Sequence, residues 1–410
     1  MNQNLTMKYL LTFTILVFSA IFCFAQSVEI CNWDYDKKCA VALTFDDWLS
    51  THPTVVVPAL QERDMVATFY FIAKDLNASK ISQINTAADL GNEIGNHSMT
   101  HSSVDSIIAA EARPSKEKLD AALVSQKALT YDYPFGTFSD ATIDSVRNAG
   151  HIAARGVWPP TNYRYNFASS DNDYYNLRTV GVGGDGVKTT KDFAKYLTKV
   201  INGGGFITYL YHGVAKSGDY ANIPKDSLYA QLDTLNSLRD KIWITTVANA
   251  VKYHREAKCI TIAQPDIETP GYYCFSIEDT LPDSIYNQPL TLKVYNGGNT
   301  FCEVTQNGEM CPILYQTKEY VLFRSLPDGN ISLKYGEWDL NTVNDLSDIA
   351  TVTVNRHTVS VSTDETSSVA VYSPQGQTIF KHKGSCSYTV PQSGIYIISV
   401  NGLTQKFYIH

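Results

Sequence analysis

The 410-residue sequence has no excess of basic residues, and no long apolar run follows its first 25 residues. Its 33 Lys and Arg are scattered and outnumbered by 41 Asp and Glu, so a nucleic-acid partner is not expected. Without an apolar run of about 20 residues, the mature chain is expected to have no stable membrane span. With 44% hydrophobic and 18% charged residues, the composition is that of a globular protein.

Residues 1–25 predict a secretory signal peptide. Lys8 precedes an apolar run that ends at Phe22, and a small residue, Ala25, stands at the expected cleavage point. We therefore expect a secreted or cell-surface protein. Cys23 leaves open a lipoprotein alternative, against which the bulky Phe22 counts.

Seven cysteines remain after removal of the signal peptide, in a compartment that would permit disulfides. Sequence proximity suggests three local pairs and one free thiol: Cys31 with Cys39, Cys259 with Cys274, Cys302 with Cys311, and Cys386 alone.

The chain divides by pattern into three parts after the signal peptide. In residues 26–258 short apolar runs alternate with helical patterns, such as Ser139 to Ala149, which predicts an α/β fold with a distorted (β/α) barrel. Residues 259–345 contain short alternating runs and Asn-Gly turn signals, which predict a β-sandwich-like accessory domain. Residues 346–410 predict a second small all-β module.

Candidate site residues stand where apolar runs end. Asp46 and Asp47 follow the run Val41 to Phe45, and ligand sites in α/β folds lie at the carboxyl ends of strands. His97 and His101 are four residues apart in HSMTH, so on a helix they would share one face. Two imidazoles and a carboxylate make an open three-ligand site for a divalent metal. The two imidazoles favour zinc, although cobalt or nickel would also suit this set.

The order of these motifs resembles that of the polysaccharide deacetylases, carbohydrate esterase family 4, which share the nodulation-protein B homology domain. The likeness covers roughly residues 38–255. TFDD at Thr44 to Asp47 and HSMTH resemble the first two motifs of the family. The resemblance implies that Asp46 is the general base and that Asp47, His97 and His101 bind the metal.

Two later motifs extend the resemblance. Pro134 to Gly136 is similar to the third motif, which implies that this loop lines the groove and that Phe135 supplies a backbone N–H to the oxyanion. Leu210 to His212 resembles the fifth motif, which implies that Leu210 borders the acetyl-methyl pocket and that His212 is the general acid. Pro134 and Leu210 are therefore expected substrate contacts.

The sequence departs from the family pattern at two places. The family commonly has an Arg where this chain has Asp132, so either Asp132 points away from Asp46 or a cation arrives from elsewhere. We predict that Arg155 supplies that cation through a salt bridge to Asp46. The fourth motif is not recognisable, and its candidates are Trp158, Asp171 and Asp173. Trp158 is also a candidate substrate contact.

The last block resembles the C-terminal sorting domain of the type IX secretion system, on ValAlaValTyrSerProGlnGlyGlnThrIle and GlyIleTyrIleIleSerVal. This implies that the secretion machinery is a partner and that the block serves addressing. An ordinary β accessory domain is the alternative.

The expected function is hydrolysis of N- or O-acetyl groups on a polysaccharide, of either the chitin and peptidoglycan type or the acetylxylan type. Two alternatives stay open. One is a catalytically impaired, carbohydrate-binding surface protein on the same fold, and the other is an enzyme that acts on a small amide.

Overall fold

The computed structural model describes residues 26–157, 170–264, 269–311, 313–336, 349–355, 358–372, 378–390, 394–401 and 403–409. The predicted signal peptide lies outside these residues. In the part of the chain so described, no helix is both long enough and apolar enough to cross a membrane.

A short strand, β1 (Ser27–Ile30), precedes a sheet of eight parallel strands, which confirms the predicted barrel. The eight strands are β2 Cys39–Phe45, β3 Thr68–Phe71, β4 Glu93–Asn96, β5 Thr130–Asp132, β6 Ala153–Arg155, β7 Thr179–Gly181, β8 Phe206–Tyr211 and β9 Ile242–Ile244. Their order is β6-β5-β4-β3-β2-β8-β7, and β9 also pairs with β2. Leu177 bridges to Arg155 just before β7 begins, so the sheet is nearly closed.

Seven α-helices accompany these strands in the described residues: α1 Val57–Gln61, α2 Ala78–Asp89, α3 Asp105–Ala122, α4 Asp140–Asn148, α5 Thr190–Gly203, α6 Lys225–Asn236 and α7 Val247–Cys259. Four of them begin at a side chain that accepts a hydrogen bond from the first turn: Asn77, Ser139, Thr189 and Thr246. Such caps satisfy N–H groups that have no partner within the helix.

The barrel core is apolar on both faces of its central strands. All residues of β2 and β8 are buried, as expected for parallel strands covered on both sides. At the amino-terminal end of the strands the buried carboxylate of Glu93 accepts hydrogen bonds from the hydroxyls of Thr68 (2.8 Å) and Thr130 (2.5 Å) and from the N–H of Ala248 (2.9 Å). These bonds link β3, β4 and β5 to the start of α7.

Antiparallel strands build the remainder of the described chain. The strands of the first β module are β10 Thr261–Ala263, β11 Tyr272–Glu278, β12 Leu290–Tyr295, β13 Phe301–Gln306, β14 Glu309–Met310, β15 Ile313–Gln316, β16 Tyr320–Ser325 and β17 Gly329–Tyr335. They form two sheets, β1-β12-β16-β15 and β10-β11-β17-β13-β14. Because β1 pairs with β12, Ser27–Ile30 belongs by hydrogen bonding to this module and not to the barrel, unlike the division at residue 26 that the sequence pattern suggests.

The C-terminal module has two further antiparallel sheets, β18-β19-β22 and β21-β20-β23-β24. Its strands are β18 Thr351–Asn355, β19 Thr358–Ser362, β20 Ser368–Tyr372, β21 Thr378–Lys383, β22 Cys386–Thr389, β23 Gly394–Val400 and β24 Leu403–Ile409. Whether this module acts as a sorting domain stays a prediction.

None of the three suggested disulfides is present, because all seven cysteines of the described residues are free. Cys39 starts β2 and is packed in the barrel core, whereas Cys31 is buried next to the first β module, with its backbone oxygen bonded to the hydroxyl of Tyr253 (2.8 Å). Closeness in sequence therefore does not bring these two thiols together.

Candidate metal centre and active site

The candidate site lies at the carboxyl ends of five barrel strands. In the register of β2 and β8, Phe45 is opposite Tyr211, so the next residues, Asp46 and His212, come together. His97 directly follows β4. This is the face of a barrel on which ligand-binding residues are expected.

Asp47, His97 and His101 present their ligand atoms to one point. The Asp47 Oδ1 atom lies 3.5 Å from His97 Nε2 and 3.7 Å from His101 Nε2. Asp47 Oδ1 is buried and has no hydrogen-bond partner among the described residues, so its lone pairs are available to a cation. On its other side, His97 Nδ1 lies 3.0 Å from the backbone oxygen of Asp132, a contact that orients the ring and leaves Nε2 facing the site.

Burial favours the neutral imidazole of His97 that a metal requires. It lowers the pKa of His97 to about 4, against the opposing effect of the Asp46 and Asp47 carboxylates. A neutral histidine is the form that binds a metal, so proton release is not needed near pH 7. The three residues therefore fit a divalent ion in geometry, and His97 also fits it in protonation.

The HSMTH segment is a loop, not a helix, so the helical arrangement considered from the spacing is wrong. Ser98 and His101 have left-handed backbones, with φ of 63° and 58°. The Ser98 hydroxyl accepts a hydrogen bond from the His101 N–H (2.9 Å), and the Glu111 carboxylate accepts bonds from the N–H groups of Met99 and Thr100. The tight loop thus brings both imidazoles to the same point without a helix.

The Pro134 to Gly136 turn forms the wall next to His101. Phe135 has a left-handed backbone (φ 57°), and its side chain is 61% exposed with its ring centroid 4.6 Å from that of His101. Gly136 has φ of 70°, and a Cβ there would lie 2.4 Å from a methyl carbon of Val157. Non-glycine residues in this conformation store backbone strain, which concentrates at functional sites.

A buried ion-pair network surrounds Asp46. The Arg155 guanidinium is fully buried, forms an ion pair with Asp46 and lies 3.0 Å from Asp132 Oδ2. The salt bridge predicted from the sequence is therefore present. Asp132 does not point away from Asp46, and Arg155 on β6 supplies the cation that faces both carboxyls. Asp46, His97 and Asp132 form a second set of clustered ligand atoms, but Arg155 already supplies the positive charge there.

The two buried carboxyls are pushed to opposite charge states. Burial would raise the pKa of Asp46, but the Arg155 guanidinium and then His212 outweigh it and lower that pKa to about 2. Burial raises the pKa of Asp132 well above its usual range, Arg155 opposes this, and the nearby Asp46 carboxylate adds to the rise. Asp46 is therefore the ionised member, while Asp132 tends to keep its proton.

His212 lies across from Asp46, with its Nε2 atom 3.7 Å from Asp46 Oδ2. The edge of its ring meets Tyr220, whose side chain is 73% exposed, at 4.8 Å between centroids. Its backbone oxygen accepts a hydrogen bond from Nε2 of the fully buried His52 (2.8 Å). His52 was not predicted from the sequence, in which its place five residues after Asp47 was the available signal.

Of the three residues expected to contact substrate, the structure describes Leu210 and Pro134. Leu210 is 6% exposed in β8, and Pro134 is buried under its turn, so their roles stay predictions. Trp158 lies outside the described residues. Asp171 forms ion pairs with Arg147 and Arg255, which occupy both of its carboxylate oxygens.

These features define a class, a nearly closed α/β barrel with a candidate metal centre at the carboxyl ends of its strands. Residues 34–154 match the family model described as polysaccharide deacetylase. This part of the chain thus has the sequence of a polysaccharide deacetylase domain.

Individual relatives are distant or partial. A gellan lyase from Bacillus sp is 26% identical over an alignment of 340 residues, which covers 74% of this chain and 13% of that protein. A bifunctional xylanase/deacetylase from Pseudobutyrivibrio xylanivorans is 32% identical over 73 residues, which are 18% of this chain and 12% of that protein. The chain thus spans about an eighth of the length of these curated relatives.

A solved structure is also similar. The family 4 acetyl xylan esterase from Clostridium thermocellum, in complex with a cobalt ion, is 20% identical with a TM-score of 0.36, covering 52% of this chain and 89% of that one.

Proposed function

We propose that the chain is a metal-dependent deacetylase that hydrolyses acetyl groups of a polysaccharide. The observation that carries the proposal is the buried, unpartnered Asp47 Oδ1 atom, which lies within 4 Å of Nε2 of both His97 and His101. A divalent ion bound there would supply Lewis acidity and lower the pKa of a water molecule, and zinc is the ion that we propose. The sequence likeness to the deacetylase family agrees with this chemistry.

Asp46 is the proposed general base. Arg155 keeps its carboxylate ionised near pH 7, so it can accept a proton from the attacking water. His212, on the opposite side of Asp46, is the proposed acid that protonates the leaving oxygen or nitrogen. The Phe135 N–H is the proposed donor to the oxyanion of the tetrahedral intermediate.

Acetate release tests the proposal directly. The protein is stripped with a chelator, reloaded with zinc, and assayed on acetylxylan, on chitooligosaccharides and on a small acetamide. Release from a polymer that requires the metal supports the proposal, and preference between the first two substrates decides between ester and amide. Release only from the small acetamide would favour the small-amide enzyme, and no release by zinc-loaded protein would favour the carbohydrate-binding alternative.

The assignment of the base is tested with Asp46→Asn. We expect this variant to lose turnover while it keeps its metal, because Asp47 and the two histidines remain. Asp89→Asn is the matched control, since Asp89 is exposed at the end of α2 and outside the site. Turnover retained by Asp46→Asn, or lost equally in both variants, contradicts the assignment.

We also propose that the protein acts outside the cytoplasm, since residues 1–25 have the pattern of a signal peptide. Mass spectrometry of the exported protein should give an N-terminus at Gln26. Deletion of residues 346–410 should then block release from a type IX-secreting host if that block is the sorting domain. Release that continues without the block would favour an accessory role.

A further inference from the structure

A cavity of about 780 Å³ opens beside the proposed metal ligands. Asp47 and His101 form part of its wall, so a molecule in the cavity lies next to the proposed reaction centre. Three lysines, Lys74, Lys80 and Lys216, line the same space.

The three ammonium groups come from separate parts of the fold. Lys74 follows β3 and donates a hydrogen bond to the backbone oxygen of Thr100 (3.1 Å). Lys80 is in the first turn of α2, where its Nζ atom lies 3.5 Å from Asp75 Oδ2. Lys216 follows β8, donates to the Ser50 hydroxyl (3.1 Å) and lies 3.7 Å from an Asp219 carboxylate oxygen.

Carboxylates do not cancel this charge. Besides Asp47, which belongs to the proposed metal set, the acids on the wall are Asp75 and Asp219, so three lysines face two carboxylates. The contacts they make are long and partly solvated, with 29% of the Lys80 side chain and 53% of the Lys216 side chain exposed. Exposed pairs of this kind are weak, so the ammonium groups can turn to an anionic ligand.

The position of this positive cluster is informative because the whole chain carries a net charge of −8. A neutral glycan gains little from ammonium groups, whereas a polymer with carboxylates is repelled by the net charge of the chain and attracted by these three lysines. We propose that the cavity binds an acidic polysaccharide, in which uronic acid carboxylates lie near the acetylated sugar. This inference rests on the proposed deacetylase function and specifies its substrate class.

Affinity electrophoresis of the full chain at low salt tests binding without catalysis. Migration is compared in gels with polygalacturonate and in gels with neutral xylan. We expect retardation by polygalacturonate, and a loss of affinity of about tenfold in the triple variant Lys74→Gln, Lys80→Gln, Lys216→Gln. The control triple variant, Lys118→Gln, Lys191→Gln, Lys195→Gln, has the same net charge and alters exposed lysines outside the cavity, so its affinity should match that of the native chain.

Equal retardation by the acidic and neutral polymers overturns the proposal, as does an equal loss in both triple variants. A second arm follows acetate release from acetylated glucuronoxylan before and after enzymatic removal of its uronic acid branches. A higher KM after removal, with kcat unchanged, supports the proposal, and an unchanged KM contradicts it. A protein that releases acetate from no polymer fails the proposed function, whereas one that releases it equally from both polymers fails only this inference.

Discussion

Replacement of Arg155 by Gln should show how far the acidity of the site depends on one buried cation. Arg155 has no exposed surface, and both Asp46 and Asp132 are within ion-pair distance of it. Removal of one partner of a buried ion pair costs about 3–5 kcal/mol of unfolding free energy. The net lowering of the Asp46 pKa from its usual 3.8 to about 2, to which Arg155 makes the largest favourable contribution, corresponds to about 2 kcal/mol at neutral pH.

The sign of the pH effect follows from the depressed pKa of Asp46. Its contribution to stability is present above about pH 4 and is lost as the pH falls toward 2. In Arg155→Gln the guanidinium no longer opposes the effect of burial, which raises the pKa of Asp46. The Asp46 carboxyl should therefore hold its proton to a higher pH. The acidic limb of the kcat/KM profile should then move up, and urea unfolding of the metal-free protein should show the loss of stability.

Two comparisons make the Arg155 result specific. Arg155→Lys retains a charge without the planar fork that reaches two carboxylates, so it should restore activity only in part. Arg147→Gln removes an arginine with surface ion pairs to Asp144 and Asp171 and should change stability by less than about 1 kcal/mol. An acidic limb that stays in place in Arg155→Gln would refute the role of Arg155.

Three further changes test other parts of the site and the fold. His97→Ala should lose the bound metal, measured by elemental analysis of zinc-loaded protein; unchanged metal content would show that the ligand set is wrong. His52→Leu should lower kcat about tenfold with KM unchanged, because the His212 carbonyl loses its donor, whereas His52→Gln, which keeps an N–H, should restore most of it. Glu93→Ala should cost about 3 kcal/mol in urea unfolding, since it leaves the Ala248 N–H without an acceptor and removes the bonds from the Thr68 and Thr130 hydroxyls; a change below 1 kcal/mol would contradict this.

The sequence was sufficient for residues that follow buried strands. An apolar run that stops at a polar residue marks a strand end, and parallel strands bring their ends to one face, so Asp46 and His212 could be predicted to meet. The helix α4 was also predictable, because Ser139 is an N-cap residue and does accept the bond from the Thr142 N–H. Strand ends and helix caps both depend on residues that are neighbours in the sequence, and for this reason the sequence predicts them.

Contacts between residues that are far apart in the sequence could not be predicted in this way. β1 joins the sheet of β12, with Ser27 opposite Tyr295, and no pattern within either strand specifies its partner. The hydrogen bond from His52 to His212 likewise depends on how two distant loops fold over the barrel. The spacing of His97 and His101 suits both a helix and a tight loop, and only the left-handed backbones at Ser98 and His101 distinguish them.

The arrangement around Asp46 explains why an acid can replace the arginine that the family commonly has in the third motif. β5 and β6 are paired so that Asp132 lies opposite Arg155, and the guanidinium therefore reaches Asp46 from the neighbouring strand. One cation then faces two buried carboxyls, which cannot both be ionised without a large desolvation cost. The raised pKa of Asp132 resolves this, because a protonated Asp132 leaves one carboxylate for one guanidinium and keeps Asp46 as the charged member.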